Sequence, residues 1–164
     1  MSPQSLIKRF YAAFATLDAH AMQACYAADA RFEDPVFELQ GHEQIGAMWH
    51  MLCHAVRAKG QAVWRIEVRD IEADTDRGSA HWEARYRISA TGRRVHNVVE
   101  ADFTFTDGLI ATHRDHFDFW RWSRQALGPT GLAMGWSPWL RNHVRGQAEA
   151  KVRNYLAHQT DIAR

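Results

Sequence analysis

The sequence predicts an α+β fold: a cone-shaped roll of a curved antiparallel sheet packed on N-terminal helices, with a helical C-terminal extension. Apolar residues recur at three- and four-residue spacing as far as Lys59, a spacing typical of amphipathic helices. Beyond Gly60 they alternate at every second residue, as in half-buried strands. Two turn signals, TGRR and TDGL, indicate hairpins. Helices against such a sheet would leave a mouth for a small molecule.

Three helices are predicted before the sheet. The first, over residues 4–17, has an apolar face made of Leu6, Ile7, Phe10, Phe14 and Leu17. A second, short helix follows Asp18 and extends to about Ala28. The third begins at Gly41 and keeps helical spacing of apolar residues as far as Val56. The two cysteines, Cys25 and Cys53, fall in predicted helices and are expected to be reduced thiols.

Five strands are predicted. The stretch ARFEDPVF is extended up to Pro35, with Phe32 and Asp34 on one face, because proline cannot donate to a ladder. A four-stranded meander follows over residues 62–70, 79–89, 95–105 and 109–117. Its last strand directs one set of side chains inward: Leu109, Ala111, His113, Asp115 and Phe117. His81 and His96 alternate outward and are expected at the surface.

The C-terminal part differs in composition from the rest. We divide the chain into a domain at 1–120 and a helical, Trp-rich basic extension at 121–164. Residues 119–164 hold seven basic and two acidic residues, and four of the seven tryptophans. Helices are predicted over 119–127 and 139–158, joined by an apolar loop rich in Gly and Pro. The extension could cover the mouth, pack on a partner subunit or lie on an anionic membrane; packing is favoured over membrane contact.

Composition excludes several classes of function. The net charge of +1 gives no field that would attract nucleic acid. No Cys/His spacing resembles a metal site, and His113 and His116 of HRDH would face opposite ways on a strand. The apolar stretches are shorter than a membrane span. We expect a cytoplasmic protein with one core, without nucleic acid, metal or cofactor.

At this point the sequence resembles a known superfamily. The opening helix RFYAAFATLD, the stretch FEDPV and the last-strand stretch GLIATHRDHFD resemble the nuclear-transport-factor-2-like superfamily over roughly residues 3–120. Ketosteroid isomerase and the SnoaL-like polyketide cyclases are the most similar members. The resemblance implies that Asp34 occupies the position of the isomerase's general base. It also implies that Asp115 occupies the position of the cyclases' acid/base aspartate, and that the protein is a homodimer through its outer sheet face.

The resemblance also shows departures from the isomerase. Its oxyanion-hole tyrosine falls on Phe10, with Tyr11 one residue later, and its oxyanion-hole aspartic acid falls on Ala101. Loss of such donors lowers rates by orders of magnitude, so a faithful steroid isomerase is not expected. Asn97, a polar side chain on an apolar strand face, could supply part of the missing donor set.

Each candidate residue has a functional and a structural interpretation. Asp34 could accept a proton, or it could cap the turn around Pro35. His113 and Asp115 could form an acid/base pair in the pocket, or a buried structural hydrogen bond. The predicted ligand-binding residues, for which core packing is the alternative, are Tyr11, Trp49, Trp82, Tyr86, Asn97 and Phe117.

Two functions therefore follow from the sequence. The first is a cofactor-free isomerase or cyclase that acts on a hydrophobic small molecule with a carbonyl group, in which Asp34 or Asp115 abstracts a proton and His113 assists. The second is a non-catalytic module of the same fold that binds a small molecule or only dimerises. Replacing the two aspartates with asparagine discriminates between them, because only the enzyme would lose turnover.

Overall fold

One six-stranded sheet with helices against its inner face forms the body of the molecule. A computed structural model describes residues 1–88 and 90–162. Its helices are α1 (Pro3–Ala15), α2 (Ala19–Gln23), α3 (His42–Lys59), α4 (Phe119–Leu127), α5 (Pro129–Met134) and α6 (Pro138–Ile162). Its strands are β1 (Tyr26–Glu33), β2 (Glu38–Gln40), β3 (Arg65–Ala73), β4 (Arg77–Arg87), β5 (Arg94–Thr106) and β6 (Leu109–His116). The predicted α+β class is confirmed.

The sheet is curved and unclosed, with the strand order β2-β1-β6-β5-β4-β3. Strands β3 to β6 form the predicted antiparallel meander. Strand β1 pairs parallel with β6, so the sheet is not antiparallel throughout. Strand β2, which the sequence analysis did not predict, returns antiparallel along β1 after the turn at Pro35. The turn at Asp107 and Gly108, both at positive φ, joins β5 to β6 as expected.

The inward face of the last strand differs from the prediction because of a β-bulge. Thr104 pairs with Thr112 and Phe105 pairs with Ile110, so Ala111 has no partner residue on β5. The extra residue reverses the alternation at this point. Ile110 is therefore buried in place of the predicted Leu109 and Ala111, while His113 and Asp115 keep their inward positions.

The second helix is shorter than predicted. It ends at Gln23, and β1 already begins at Tyr26, where a helix as far as Ala28 was expected. Cys25 consequently lies in the turn between the two elements and not in a helix. It is buried and unpaired, as is Cys53 in α3. Burial raises the pKa of both thiols, which keeps them protonated at neutral pH.

The C-terminal segment contains three helices and not the two predicted. Helix α4 has the expected bounds, but the apolar segment after it contains α5, where a loop was expected. Gly131 of α5 touches α4 so closely that a Cβ there would lie 1.9 Å from the carbonyl oxygen of Ser123. Helix α6 packs against α3. In the described part of the chain, no helix is both long enough and apolar enough to cross a membrane.

The outer face of the sheet is polar. His81, predicted at the surface, is buried at 9% exposure because it bonds to Glu100 on the neighbouring strand and to Glu83 on its own. Glu83 also accepts a 2.7 Å bond from His96. A concavity of about 910 Å³ lies on this face, between charged side chains such as Arg114 and Glu33. Its floor includes Phe32, Phe103 and His113 of the strands that also form the interior site described next.

Candidate functional site

A chain of polar side chains runs through the aromatic interior and joins β1 to β6. The hydroxyl of Tyr26 lies 2.7 Å from Nδ1 of His113, and Nε2 of His113 lies 2.9 Å from Oδ1 of Asp115. The three residues are 2%, 1% and 4% exposed. The sequence predicted the His113–Asp115 pair, and the structure brings the two side chains into contact.

Two indoles donate to the ends of this chain of hydrogen bonds. Trp49 donates from Nε1 to the Tyr26 hydroxyl at 3.2 Å, and Trp82 donates from Nε1 to Oδ1 of Asp115 at 3.3 Å. An ionised carboxylate can only accept, so a neutral His113 donates from Nε2 to Asp115. Its Nδ1 then accepts the proton of the Tyr26 hydroxyl. The hydrogen bonds on its two ring nitrogens thus favour one tautomer of the neutral imidazole.

An apolar cage surrounds this histidine. The ring of His113 lies 4.4 Å from Phe103, 5.0 Å from Phe32 and 5.4 Å from Phe10, measured between ring centroids. The cage forms because β1 and β6 are paired in parallel, with Phe32 opposite His113. Water is excluded from the ring, which strengthens the polar contacts that it makes.

Asp34 caps the turn that follows β1. Its Oδ1 accepts hydrogen bonds from the backbone N–H groups of Val36 at 2.7 Å and Phe37 at 2.6 Å. Asp34 therefore caps the turn, as its structural interpretation predicted. This role uses only Oδ1, one of its two carboxylate oxygens. Burial and, to a lesser extent, the charge of Asp115 raise the pKa of Asp34 to about 7, against the lowering effect of the two N–H groups and of Arg145. A carboxyl group in this range can exchange a proton at neutral pH.

Helix α6 reaches the same turn through Arg145. Its Nη2 donates to the backbone oxygen of Asp34 at 3.1 Å, and its Nη1 lies 3.4 Å from Oε2 of Glu38. Its Nε is buried without a partner among the described residues. The extension thus covers the Asp34 side of the site, which is one of the three roles the sequence left open.

Tyr11 brings a hydroxyl that has no partner. The side chain is 3% exposed, and its oxygen makes no hydrogen bond within the described residues. The ring packs between Trp82, at 6.1 Å, and Phe103, at 6.4 Å. Burial, and next the charge of Asp115, raises the pKa of Tyr11 well above its ordinary value, so the phenol keeps its proton. A buried donor without an acceptor costs free energy, and a ligand oxygen would satisfy it.

The remaining predicted ligand-binding residues lie around this region with different roles. Tyr86 accepts a 2.9 Å hydrogen bond from Nε1 of Trp122 on α4. Burial raises its pKa, and the charge of Asp34 acts in the same direction, which places the two side chains near each other. Asn97 is buried on the inner face of β5, where it pairs with Ala84 of β4. Phe117 is half-buried beyond β6 and packs on Trp122 at 6.4 Å.

Sequence reasoning missed three residues of this site: Tyr26, Trp122 and Arg145. Tyr26 and Phe32 are an even number of positions apart, as residues on one face of a strand are. This pattern was not recognised because a helix was predicted as far as Ala28. Trp122 and Arg145 belong to the extension, whose packing no local pattern specifies. Within residues 1–88 and 90–162, no three His, Cys, Asp or Glu side chains converge so as to hold a metal ion.

Comparison with known proteins establishes the family. The family model of the SnoaL-like domain matches residues 7–113, and the chain belongs to this family. No curated protein matches the sequence significantly. The predicted resemblance to the nuclear-transport-factor-2-like superfamily is confirmed by the family model and by solved structures.

Three solved structures illustrate the similarity, each at an identity that shows the fold alone. A protein from Catenulispora acidiphila with a ketosteroid isomerase-like fold, in complex with trimethylamine, has a TM-score of 0.63 and 15% identity over 84% of this chain and 100% of its own. An LEH-like epoxide hydrolase from Mycobacterium tuberculosis has a TM-score of 0.60 and 20% identity, over 79% and 90%. A protein called a polyketide cyclase, from Pseudomonas putida, has a TM-score of 0.59 and 21% identity, over 77% and 98%.

Proposed function

We propose that this protein is a cofactor-free acid–base catalyst, an isomerase or a cyclase, that acts on a hydrophobic small molecule with a carbonyl group. The observation that carries the proposal is a pair of groups on which the charge of Asp115 acts, one a donor and the other a carboxyl group. Tyr11 offers a buried hydroxyl without a partner, and Asp34 is a carboxyl group whose pKa is about 7. A donor for a developing oxyanion and a base matched to neutral pH are what enolisation requires.

The reaction begins with proton abstraction from carbon. The free carboxylate oxygen of Asp34 takes a proton from the carbon next to the substrate carbonyl, and the electron pair moves to the carbonyl oxygen. The Tyr11 hydroxyl donates to that oxygen and stabilises the enolate. The enolate then either regains the proton from Asp34 at another carbon, which is isomerisation, or attacks a second carbonyl of the same molecule, which is cyclisation. In cyclisation the π electrons of that carbonyl move to its oxygen, which takes the proton from Asp34.

The buried pair on β6 sets the electrostatics of this step. Asp115 holds a charge that raises the pKa of Asp34, and its own oxygen is held by His113 and Trp82. His113 is in turn held by Tyr26. In this account His113 and Asp115 assist the reaction by tuning the base and can relay a proton, while Asp34 is the group that touches the reacting carbon.

Two neighbours with enzyme names support the class of function. One is called an epoxide hydrolase and the other a polyketide cyclase. Both names describe enzymes of small organic molecules, which fits an apolar interior lined by a few polar groups. The similarity to these two proteins is one of fold, so it supports a class of function and does not name a substrate.

Proton exchange tests the proposal without knowledge of the net reaction. A panel of apolar ketones is incubated with the protein in D₂O, and loss of the α-proton signals is followed by NMR. We expect exchange of at least one ketone above the buffer rate, and a fall of 100-fold or more in Asp34→Asn. Asp29→Asn is the matched control, because Asp29 is an exposed carboxylate of β1, the strand that precedes Asp34.

The outcome that would contradict the proposal is exchange at the buffer rate for every ketone that binds. That result would favour the second function, a binding module. One observation supports this alternative: Asp34 already caps a turn, and the site is covered by α6. If the protein is a binding module, the Asp34→Asn variant should keep its affinity for 2-naphthol, a neutral mimic of an enol, and lose only stability.

We also propose that the protein forms a homodimer through the outer face of the sheet, as the resemblance to the superfamily implies. This face carries charges of both signs around its concavity, among them Arg31, Glu33, Asp102 and Arg114. Two copies related by a twofold axis could pair these charges. Sedimentation equilibrium tests the proposal: a mass near 19 kDa, that of one chain, would contradict it.

A further inference from the structure

Four arginine side chains surround one surface concavity on the far side of α4 from the interior site. Arg121 and Arg124 lie on α4, Arg93 lies in the turn between β4 and β5, and Arg94 opens β5. With Gln125 they line a space of about 580 Å³. Helix α4 thus directs Trp122 to the interior and two guanidinium groups to this concavity.

These four guanidinium groups form no ion pair with a carboxylate among the residues that the structure describes. The other arginines of the sheet and of α6 that meet carboxylates include Arg65, Arg69, Arg85, Arg114 and Arg145. In the part of the chain that the structure describes, no carboxylate oxygen lies within 4.0 Å of a guanidinium nitrogen of Arg93, Arg94, Arg121 or Arg124. Asp118 accepts a 3.0 Å hydrogen bond from the backbone N–H of Arg121, as the cap of α4, and forms no ion pair with its side chain. Arg94 also stands directly opposite Arg87 on β4. Like charges directly opposite each other destabilise a sheet, and an anion bound at Arg94 would reduce this repulsion.

Contacts at its base hold the cluster in place. Nε of Arg93 donates to the backbone oxygen of Gln125 at 2.8 Å, and its guanidinium lies against Gly128. Thr91 of the same turn donates to the backbone oxygen of Ala126 at 2.7 Å. The guanidinium of Arg124 lies over the ring of Trp120, at 4.3 Å from its centroid. Two guanidinium groups are therefore oriented before any ligand arrives, which reduces the entropic cost of binding.

We propose that Arg93, Arg94, Arg121 and Arg124 form a binding site for a phosphate-bearing anion, best a diphosphate or a similar group with more than one negative charge. Guanidinium forks match phosphate oxygens in pairs, and four of them in one concavity suit a multiply charged group. The site is independent of the proposed catalysis, because none of its residues lines the interior.

The phosphate could come from a soluble molecule or from a lipid headgroup. Several apolar side chains between α4 and the start of α6 are exposed: Trp120 at 40%, Leu132 at 58%, Met134 at 38%, Trp136 at 73% and Trp139 at 61%. Trp120 links the two features, since it lies under Arg124 and donates to the backbone oxygen of Leu132 at 3.4 Å. Tryptophan beside arginine is also the composition of surfaces that meet anionic bilayers.

The test compares two double variants with the same change in net charge. Arg121→Gln/Arg124→Gln removes half of the cluster, and Lys151→Gln/Arg153→Gln removes two exposed charges from α6. Inorganic pyrophosphate is titrated by calorimetry. Co-sedimentation is measured with phosphatidylglycerol-containing vesicles and with pure phosphatidylcholine vesicles. Circular dichroism confirms that each variant is folded, and Arg94→Gln provides a second variant on a different element.

We expect one anionic probe to bind at 50 mM salt, with affinity at least tenfold weaker in Arg121→Gln/Arg124→Gln and within twofold of wild type in the control. Pyrophosphate binding identifies a soluble phosphate, and binding of only the phosphatidylglycerol vesicles identifies a lipid headgroup; either supports the site. Absence of binding to both probes would overturn it. An equal loss in the control variant would overturn it too, because binding would then follow net charge alone.

Discussion

His113 and Asp115, two residues apart on the last strand, are joined by a 2.9 Å hydrogen bond while their side chains are 1% and 3% exposed. Polar groups so deep in a core are tolerated only when they are paired. Tyr26, Trp49 and Trp82 complete the pairing. The interior is therefore a connected polar network in an aromatic cage, and changes at single members have distinct consequences.

Tyr26→Phe should destabilise the fold. The substitution leaves Nδ1 of His113 and Nε1 of Trp49 buried without a partner, and each such group costs about 1–3 kcal/mol. We expect the free energy of unfolding in urea to fall by roughly 2–3 kcal/mol. Tyr155→Phe, at a half-buried position of α6, is the control and should stay within about 0.5 kcal/mol of wild type. Equal effects would show that the network contributes nothing.

Tyr11→Phe should have the opposite effect on stability. Its hydroxyl is buried and unpaired, so removing it takes away a desolvated group without breaking a bond. We expect stability to be unchanged or to rise by up to about 1 kcal/mol, while affinity for 2-naphthol falls about tenfold. Loss of stability without loss of affinity would assign Tyr11 to the core and remove it from the site.

Asp34→Asn should flatten the pH dependence of stability. The pKa of Asp34 is about 7 in the folded chain against an ordinary value of 3.8, so between these pH values the folded chain holds the additional proton. The free energy of unfolding therefore falls as pH rises from about 4 to 7. Asparagine does not titrate and keeps an oxygen for the turn.

The measurement is urea unfolding of the wild type, Asp34→Asn and the exposed-site control Asp29→Asn at pH 4.5 and 8. We expect Asp34→Asn to gain roughly 2 kcal/mol relative to wild type between the two pH values, and Asp29→Asn to follow the wild type. A parallel course of all three proteins would mean that Asp34 titrates as an ordinary carboxyl group.

Two glycines of the extension should respond to alanine with opposite signs. A Cβ on Gly131 would lie 1.9 Å from the backbone oxygen of Ser123, so α4 and α5 must move apart. A Cβ on Gly146 of α6 meets nothing within 4 Å. We expect Gly131→Ala to cost more than about 2 kcal/mol, and Gly146→Ala to gain about 0.5–1 kcal/mol from helix propensity. Thermal unfolding measures both, and an equal response would contradict the described packing of α5 on α4.

Periodicity was sufficient for the regular elements. Helices α1, α3 and α4 and the meander β3–β6 follow from spacing and turn residues alone. The inward positions of His113 and Asp115 follow from the alternation of β6, because the bulge at Ala111 precedes both residues. These features depend on residues that are close together in the chain, so one sequence is sufficient to predict them.

Features that depend on distant partners could not be predicted in this way. His81 was expected at the surface because alternation cannot show that Glu100 on the next strand would cover it. Tyr26 joins the site only because β1 pairs parallel with β6, a contact across more than 80 residues. Trp122 and Arg145 reach the interior because the extension folds back on the domain, and no pattern within it specifies that docking.

A carboxyl-detected NMR titration of Asp34 and Asp115, with and without 2-naphthol, in the wild type and in Asp115→Asn, tests directly whether Asp34 is an interior base. We expect Asp34 to titrate near pH 7 and its titration to move when naphthol binds. In Asp115→Asn, where the neighbouring charge is gone, Asp34 should titrate at lower pH. Titration of Asp34 near pH 4 in every sample, with no response to naphthol, would contradict an interior acid–base site and leave Asp34 as a turn residue.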